Sequence, residues 1–293
     1  MVSRLGLCLD PPASSSIDGP SSFASVVDMA IAAQSAGFDS LWVTDAAPGP
    51  GVEQTFEPYT LLGALSVKAA EPMLGALGTR ATVRNPAILA KQVTALDVLS
   101  SGRAMLGVGP GCKDSIGDAP GAEVPPEPDP LDLFEEALQV YRGLFSATPF
   151  TFDGKYYRTS GATNRPSPIS SGGPPVCIGV LDLESEAEIS LLSVLAAKYA
   201  DAWILSGDIV SIRNAMSHLA EECARLDREP SMVRTIRWID DSDEDMIVKT
   251  VEVSLDEGVD AFVIDSSALA QTFPIAELGK TLSDKIGSHA RPR

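Results

Sequence analysis

The sequence predicts an α/β protein, a (β/α)8 TIM barrel formed by a single domain over residues 1–293. Eight short apolar runs recur along the chain, and such runs are typical of parallel strands buried on both faces. Each run is followed by a stretch of helical character, and eight such units in 293 residues match the size of a barrel. A doubly wound open sheet is the alternative, but no G-x-G-x-x-G follows the first run to favour its dinucleotide-binding form.

Strands and helices alternate through the first half of the chain. Gly37 provides a stop signal for the first helix, and Pro58 and Pro86 mark the starts of the next two. The predicted strands span 5–9, 40–44, 73–78 and 104–109, and the predicted helices span 23–36, 59–70 and 86–100.

The second half contains two insertions, one after strand 4 and one before strand 5. The first is a loop over 110–129, rich in Gly, Pro and acidic residues and long enough to be functional or mobile. The second begins with a hairpin over 150–157, centred on Asp153–Gly154, and continues as a loop to 175. The remaining strands are predicted at 176–180, 202–205, 232–239 and 261–264, with helices at 131–145, before 199, at 209–226, within 240–257 and at 268–287.

The charge balance excludes some classes of partner. The chain has 22 Lys+Arg against 40 Asp+Glu, a net charge of −18, and so acidic a surface repels nucleic acids and anionic membranes. No run reaches the ~18 apolar residues of a membrane span, and no secretory signal precedes the first strand. We expect a cytoplasmic protein.

Cysteine and histidine are too sparse for a metal site. The four cysteines are widely spaced, without a C-x-x-C, and only two histidines are present. We expect reduced thiols, most of them in the core.

Candidate functional residues lie where strands end, since the active sites of TIM barrels lie at that face. Several have structural alternatives. Asp45 is equally compatible with a loop or capping role, Asp265 is predicted to cap the last helix, and Cys112 is predicted to be inert because no His is placed to activate it. The positions selected are Asp45, 78–79, 109–112, 179–182, 206–207 and Asp265.

The motifs at these positions resemble those of the luciferase-like monooxygenase family, over nearly the whole chain. The resemblance is nearest to the branch that uses the deazaflavin coenzyme F420, with the FMN-using branch next. The segments that carry it are 37–45, 56–62, 74–86, 96–111, the hairpin 151–157 and 197–203.

The resemblance implies a TIM barrel, an oxidoreductase activity, a homodimer and a cofactor ring in the barrel mouth. Asp45 would lie beside the ring, the peptide Leu77–Gly78 would be a cis bulge behind it, and Thr79 would hydrogen-bond its edge. The rim would be formed by Gly109, Pro110, Gly111 and Cys112, and the phosphate loop by Gly179, Val180, Leu181 and Asp182.

Two departures from the family pattern bear on function. Ala46 stands where alcohol-oxidising members carry a general-base His, which favours reduction of an activated double bond or imine over alcohol oxidation. The phosphate loop contains Asp182, Glu184 and Glu186, which oppose a phosphate. An FMN-dependent monooxygenase and a cofactor-free binding or subunit protein on the same barrel therefore remain alternatives, while a hydrolase lacks a ligand cluster.

Overall fold

Eight parallel strands close into a barrel in a computed structural model that describes residues 4–9, 20–45, 56–81, 84–111, 129–146, 148–180, 186–269 and 274–289. The predicted (β/α)8 barrel is confirmed. Around the barrel the order is β1, β2, β3, β4, β7, β8, β9 and β10, which pairs again with β1. These strands are β1 (Leu5–Cys8), β2 (Ser40–Thr44), β3 (Met73–Arg80), β4 (Ala104–Gly109), β7 (Val176–Val180), β8 (Ala202–Leu205), β9 (Arg234–Ile239) and β10 (Ala261–Asp265).

Helices cover the outside of the barrel. Their bounds are α1 (Pro20–Ser35), α2 (Pro58–Leu65), α3 (Pro86–Leu99), α4 (Pro130–Phe145), α5 (Glu186–Tyr199), α6 (Ile209–Arg225), α7 (Glu244–Asp256) and α8 (Ile275–Ser288). The insertion before the fifth barrel strand is an antiparallel hairpin of β5 (Phe150–Asp153) and β6 (Arg158–Ala162). The predicted hairpin is confirmed, but its second strand lies beyond the predicted end at 157, because residues 154–157 form the connection between the strands. Within the described residues, no helix has the length and apolar content needed to cross a membrane.

Two predicted helices are shorter in the structure. Helix α2 ends at Leu65, where Arg103 donates to the carbonyl oxygens of Ser66, Ala69 and Pro72 and so holds the following residues in a turn. The last helix begins at Ile275 rather than 268, because a short 3-10 turn comes first.

Trp42 fills the interior of the barrel on the side of the amino ends of the strands. Its indole is fully buried and donates from Nε1 to Ser40 Oγ at 3.0 Å. A Cβ on Gly6 would lie 2.8 Å from that nitrogen, and one on Gly75 would lie 2.6 Å from the ring. Real Cβ atoms do not approach other atoms so closely, so these glycines provide the volume that the indole occupies.

An aspartate placed just before a barrel strand recurs at three places. Asp39 accepts the backbone N–H of Leu5 at 2.9 Å, and Asp201 accepts that of Val176 at 2.8 Å. Asp260 accepts that of Thr235 at 2.9 Å. In each case the carboxylate satisfies a donor at the start of the preceding barrel strand, which ties the amino ends of the strands together.

Candidate functional site

The end of β3 decides which side chains enter the barrel mouth. Pairing between β3 and β4 shifts register between Ala76 and Thr79, so a bulge lies at Gly78. After the bulge, Thr79 and Ala81 both lie on the helix side, fully buried. Since side chains alternate along a strand, Arg80 between them faces the lumen.

The prediction of a cis peptide at Leu77–Gly78 is wrong. In the described residues the cis bond is Arg165–Pro166. Gly78 reaches its bulge through a positive φ of 69°, a conformation open to glycine without steric cost.

Gly78 also marks where the mouth opens. A Cβ placed on it would meet nothing within 4 Å, in contrast to Gly75 lower in the same strand.

Asp45 lies at the rim, directly after β2. Arg84 donates to both of its carboxylate oxygens, from Nε and from Nη2, at 2.7 Å each. The Asp45 side chain is 11% exposed. Such a bidentate pair fixes both planar groups, so Asp45 is held in one orientation at the edge of the mouth.

Glu57 is the second carboxylate on Arg84, which donates to it from Nη1 at 3.2 Å. It also caps α2, accepting the Thr60 N–H at 2.7 Å, with Pro58 at the first helical position. Burial acts to raise the pKa of Glu57, but the Thr60 hydrogen bonds and the Arg84 charge outweigh it, so the pKa is lowered from 4.5.

Tyr59 connects this ion network to β3. The Arg84 guanidinium lies over the ring, 5.5 Å from its centroid. Its hydroxyl is 3.0 Å from Thr79 Oγ1, and burial raises the Tyr59 pKa well above its usual value, so it remains protonated. The Thr79 hydroxyl is thus engaged with Tyr59, and its contact with a ring edge stays a prediction.

Glycines line the wall of the mouth next to β3, at the ends of β4 and β7. A Cβ on Gly109 would lie 2.5 Å from the carbonyl oxygen of Gly179, so these two backbones touch. Pro110 and Gly111 continue directly from β4, and Val180 ends β7. The predicted residues Cys112, Leu181 and Asp182, and also Ala46, lie outside the described residues.

Asp265, another of the predicted site residues, has a structural role. Asp265 was predicted to cap the last helix. It caps instead the 3-10 turn over 266–268, accepting the Ser267 N–H at 2.8 Å. Cys8, Cys177 and Cys223 are buried, reduced cysteines, as predicted. No group of metal-ligating side chains occurs among the residues that the structure describes.

The site residues predicted from the sequence did not include Arg84, Glu57, Tyr59 and Arg80. Arg80 was available from the strand period, once the bulge at Gly78 was taken into account. The other three follow strand ends in loops or first helical turns, and their convergence depends on the packing of α2 against β3.

The fold defines a class, the TIM barrels, whose enzymes carry their sites at the carboxyl ends of the strands. The profile of the family Luciferase-like monooxygenase matches residues 3–251. The chain belongs to this family, which confirms the resemblance.

Curated relatives carry names of F420-dependent and related reductive enzymes. An F420-dependent glucose-6-phosphate dehydrogenase of Nakamurella multipartita is 31% identical over 167 residues, 53% of this chain and 48% of that protein. A phthiodiolone/phenolphthiodiolone dimycocerosates ketoreductase of Mycobacterium kansasii is 27% identical over 269 residues, 82% of this chain and 67% of that protein. The match to the dehydrogenase thus spans about half of its length.

A solved structure shares the fold. The F420-dependent secondary alcohol dehydrogenase in complex with an F420–acetone adduct superposes with a TM-score of 0.78 at 18% identity, covering 98% of this chain and 99% of that one.

Proposed function

We propose that the protein is an F420-dependent oxidoreductase that transfers a hydride to or from a small organic substrate. The observation that carries the proposal is the barrel mouth, filled below by Trp42 and open at Gly78. The relatives named above support the choice of coenzyme.

The residues present fit a flat heterocycle. The open space at Gly78 leaves room for a ring that a larger side chain would fill, whereas the place of a Cβ on Gly109 is already taken by the carbonyl oxygen of Gly179. We propose that the ring is held by Asp45, Leu77, Gly78, Gly109, Pro110, Gly111, Cys112, Gly179, Val180 and Leu181. Thr79 lies on the helix side of β3, where its hydroxyl is engaged with Tyr59.

When bound, the deazaflavin supplies the hydride chemistry, and the protein's part is to bind and orient it. The Asp45 carboxylate is paired with Arg84, so we assign it a positioning role rather than that of a proton acceptor. With Ala46 in place of a His, we propose reduction of an activated double bond or imine as the favoured direction.

An FMN-dependent monooxygenase is the second candidate. It is favoured by the family to which the chain belongs, whose profile is named for that activity.

We also propose a cytoplasmic homodimer that binds neither nucleic acid nor membrane. The reduced cysteines support a reducing compartment, the charge of −18 opposes polyanions, and the homodimer rests on the family resemblance. Light scattering on the purified protein tests the dimer.

Parallel titrations of the purified protein with F420 and with FMN test the cofactor. Saturation at about 100 times the Kd stabilises a protein by about 2.7 kcal/mol, a clear rise in Tm. We expect this rise with F420. A rise with FMN alone supports the monooxygenase, and no rise with either supports the cofactor-free barrel. Assays of reduced F420 with enones and imines, and of F420 with secondary alcohols, then give the direction.

A further inference from the structure

One carboxylate of α4 holds the turn of the hairpin β5–β6. Glu136, on α4, accepts the backbone N–H groups of three successive residues, Lys155 at 2.7 Å, Tyr156 at 2.8 Å and Tyr157 at 3.0 Å. Charge-assisted hydrogen bonds of this kind are the strong ones. A Cβ on Gly154 would overlap the carboxylate, so the turn closes tightly around it.

The last of these residues reaches back to the barrel. Tyr157 donates from its hydroxyl to the carbonyl oxygen of Ala81 at 3.3 Å, directly after β3. Burial raises the Tyr157 pKa to about 12, so the hydroxyl keeps its proton at neutral pH.

The exit of β3 is therefore held from three sides. Thr79 is bonded to Tyr59 of α2, and the Ala81 N–H donates to the Gly109 carbonyl of β4 at 3.0 Å. Tyr157 holds the Ala81 carbonyl from the hairpin. Arg80 lies between the two fixed residues, on the lumen side.

We propose that Tyr157, held by Glu136, is a positioning residue that fixes the end of β3 and thereby the placement of Arg80 and Gly78 toward the ligand in the barrel mouth. The inference deepens the proposed function and rests on it. It assigns the hairpin a role in the site, although none of its residues is placed in the lumen.

The test compares Tyr157→Phe with Tyr156→Phe. Both remove one hydroxyl from the same hairpin, but the Tyr156 hydroxyl accepts from the Asp129 N–H at 3.3 Å and bonds with Lys155, and neither partner belongs to β3. We expect Tyr157→Phe to weaken F420 binding, measured by coenzyme fluorescence, about three- to tenfold, the worth of one hydrogen bond. Tyr156→Phe should leave the Kd unchanged. The variant Glu136→Gln should weaken F420 binding too. Because Glu136 acts through Tyr157, the double variant Glu136→Gln/Tyr157→Phe should bind F420 no more weakly than the weaker of the two single variants.

Amide hydrogen exchange of the ligand-free protein gives a second readout. We expect the Ala81 amide to exchange faster in Tyr157→Phe and at the wild-type rate in Tyr156→Phe. An unchanged Ala81 rate, or equal Kd values for the two variants, overturns the inference. Failure of the wild-type protein to bind F420 or FMN overturns the proposed function instead, and the exchange measurement still decides the role of Tyr157.

Discussion

Arg84 donates hydrogen bonds to both oxygens of the Asp45 carboxylate, at 2.7 Å each, and so connects the end of β2 with the segment that follows β3. The two side chains are 24% and 11% exposed, so the pair is shielded from solvent on most sides. A removed partner would leave the other charge partly buried and unpaired. Asp45, at the rim of the proposed site, thus depends on Arg84, which follows β3.

Replacing this arginine should destabilise the protein and weaken cofactor binding. Arg84→Met removes two charge-assisted hydrogen bonds to Asp45, for which we expect a loss of about 1–3 kcal/mol in the free energy of unfolding. Urea denaturation measures it. The control is Arg158→Met, which breaks an ion pair with Asp153 that is almost fully exposed (78% and 79%), and which should leave stability unchanged. Equal effects of the two changes would contradict the structural role of Arg84.

Glu57 should make stability depend on pH in the acid range. Its folded-state pKa is lowered from 4.5, so its contribution is present above that value and is lost as pH falls through the lowered pKa. We expect the stability difference between the wild type and Glu57→Gln to shrink steadily below about pH 4.5, measured by urea denaturation across the acid range. A difference that stays constant down to about pH 3, below the usual carboxyl pKa, would argue against the network.

The hydroxyls of Tyr59 and Tyr141 should respond oppositely to removal. The Tyr59 hydroxyl is bonded to Thr79, whereas that of Tyr141 is buried with no hydrogen-bond partner in the described structure. We expect Tyr59→Phe to cost about 1 kcal/mol and Tyr141→Phe to be neutral or stabilising. Thermal and urea unfolding of both variants provide the measurement. A cost at Tyr141 equal to that at Tyr59 would mean that an ordered water satisfies its hydroxyl.

The fit of Trp42 among glycines can be tested by a double-mutant cycle. Gly75→Ala places a Cβ against the indole, and such overpacking costs about 1–3 kcal/mol. Combined with Trp42→Phe, its additional cost should fall, because the smaller ring leaves room. Gly63→Ala in α2 is the control, since a Cβ there meets nothing within 4 Å, and it should stabilise the helix slightly. Strict additivity of Gly75→Ala and Trp42→Phe would contradict the packing described.

Replacing Asp39, at the amino end of the barrel, should lower the free energy of unfolding without changing F420 binding. Asp39→Ala leaves the N–H groups of Arg4 and Leu5 without their acceptor, and we expect a loss of about 1–3 kcal/mol in unfolding free energy. Because Asp39 precedes β2, at the end of the barrel opposite to the proposed site, the F420 Kd should not change. A Kd that shifts with Asp39→Ala would place the ligand elsewhere.

The alternation of apolar runs and helices predicted the barrel closely, because buried parallel strands and their covering helices have different periods. The predicted end of a helix was wrong where side chains distant in sequence fix that end. The end of α2 is fixed by Arg103, whose carbonyl partners are contributed by residues more than 30 positions away. Asp97, in the segment 96–111 that carries part of the family resemblance, accepts the backbone N–H groups of Ile169 and Ser170.

The candidate site was predicted by position rather than by contact. Strand ends placed Asp45, Gly78 and Gly109 at the carboxyl end of the barrel, but they did not reveal the bulge at Gly78, whose signal in the sequence is a single glycine. The partners of Asp45 could not be derived, since Arg84 is 39 positions away in sequence and their meeting depends on how β2 and β3 exit together.

Amide hydrogen exchange of the protein with and without F420 tests the central claim most directly. If the coenzyme occupies the barrel mouth, protection should rise at the carboxyl ends of the strands, in 77–81 and 109–111, and stay unchanged at the amino ends near Leu5 and Val176. Protection confined to the amino ends or to the outer helices, at saturating coenzyme, would contradict the assignment of the site.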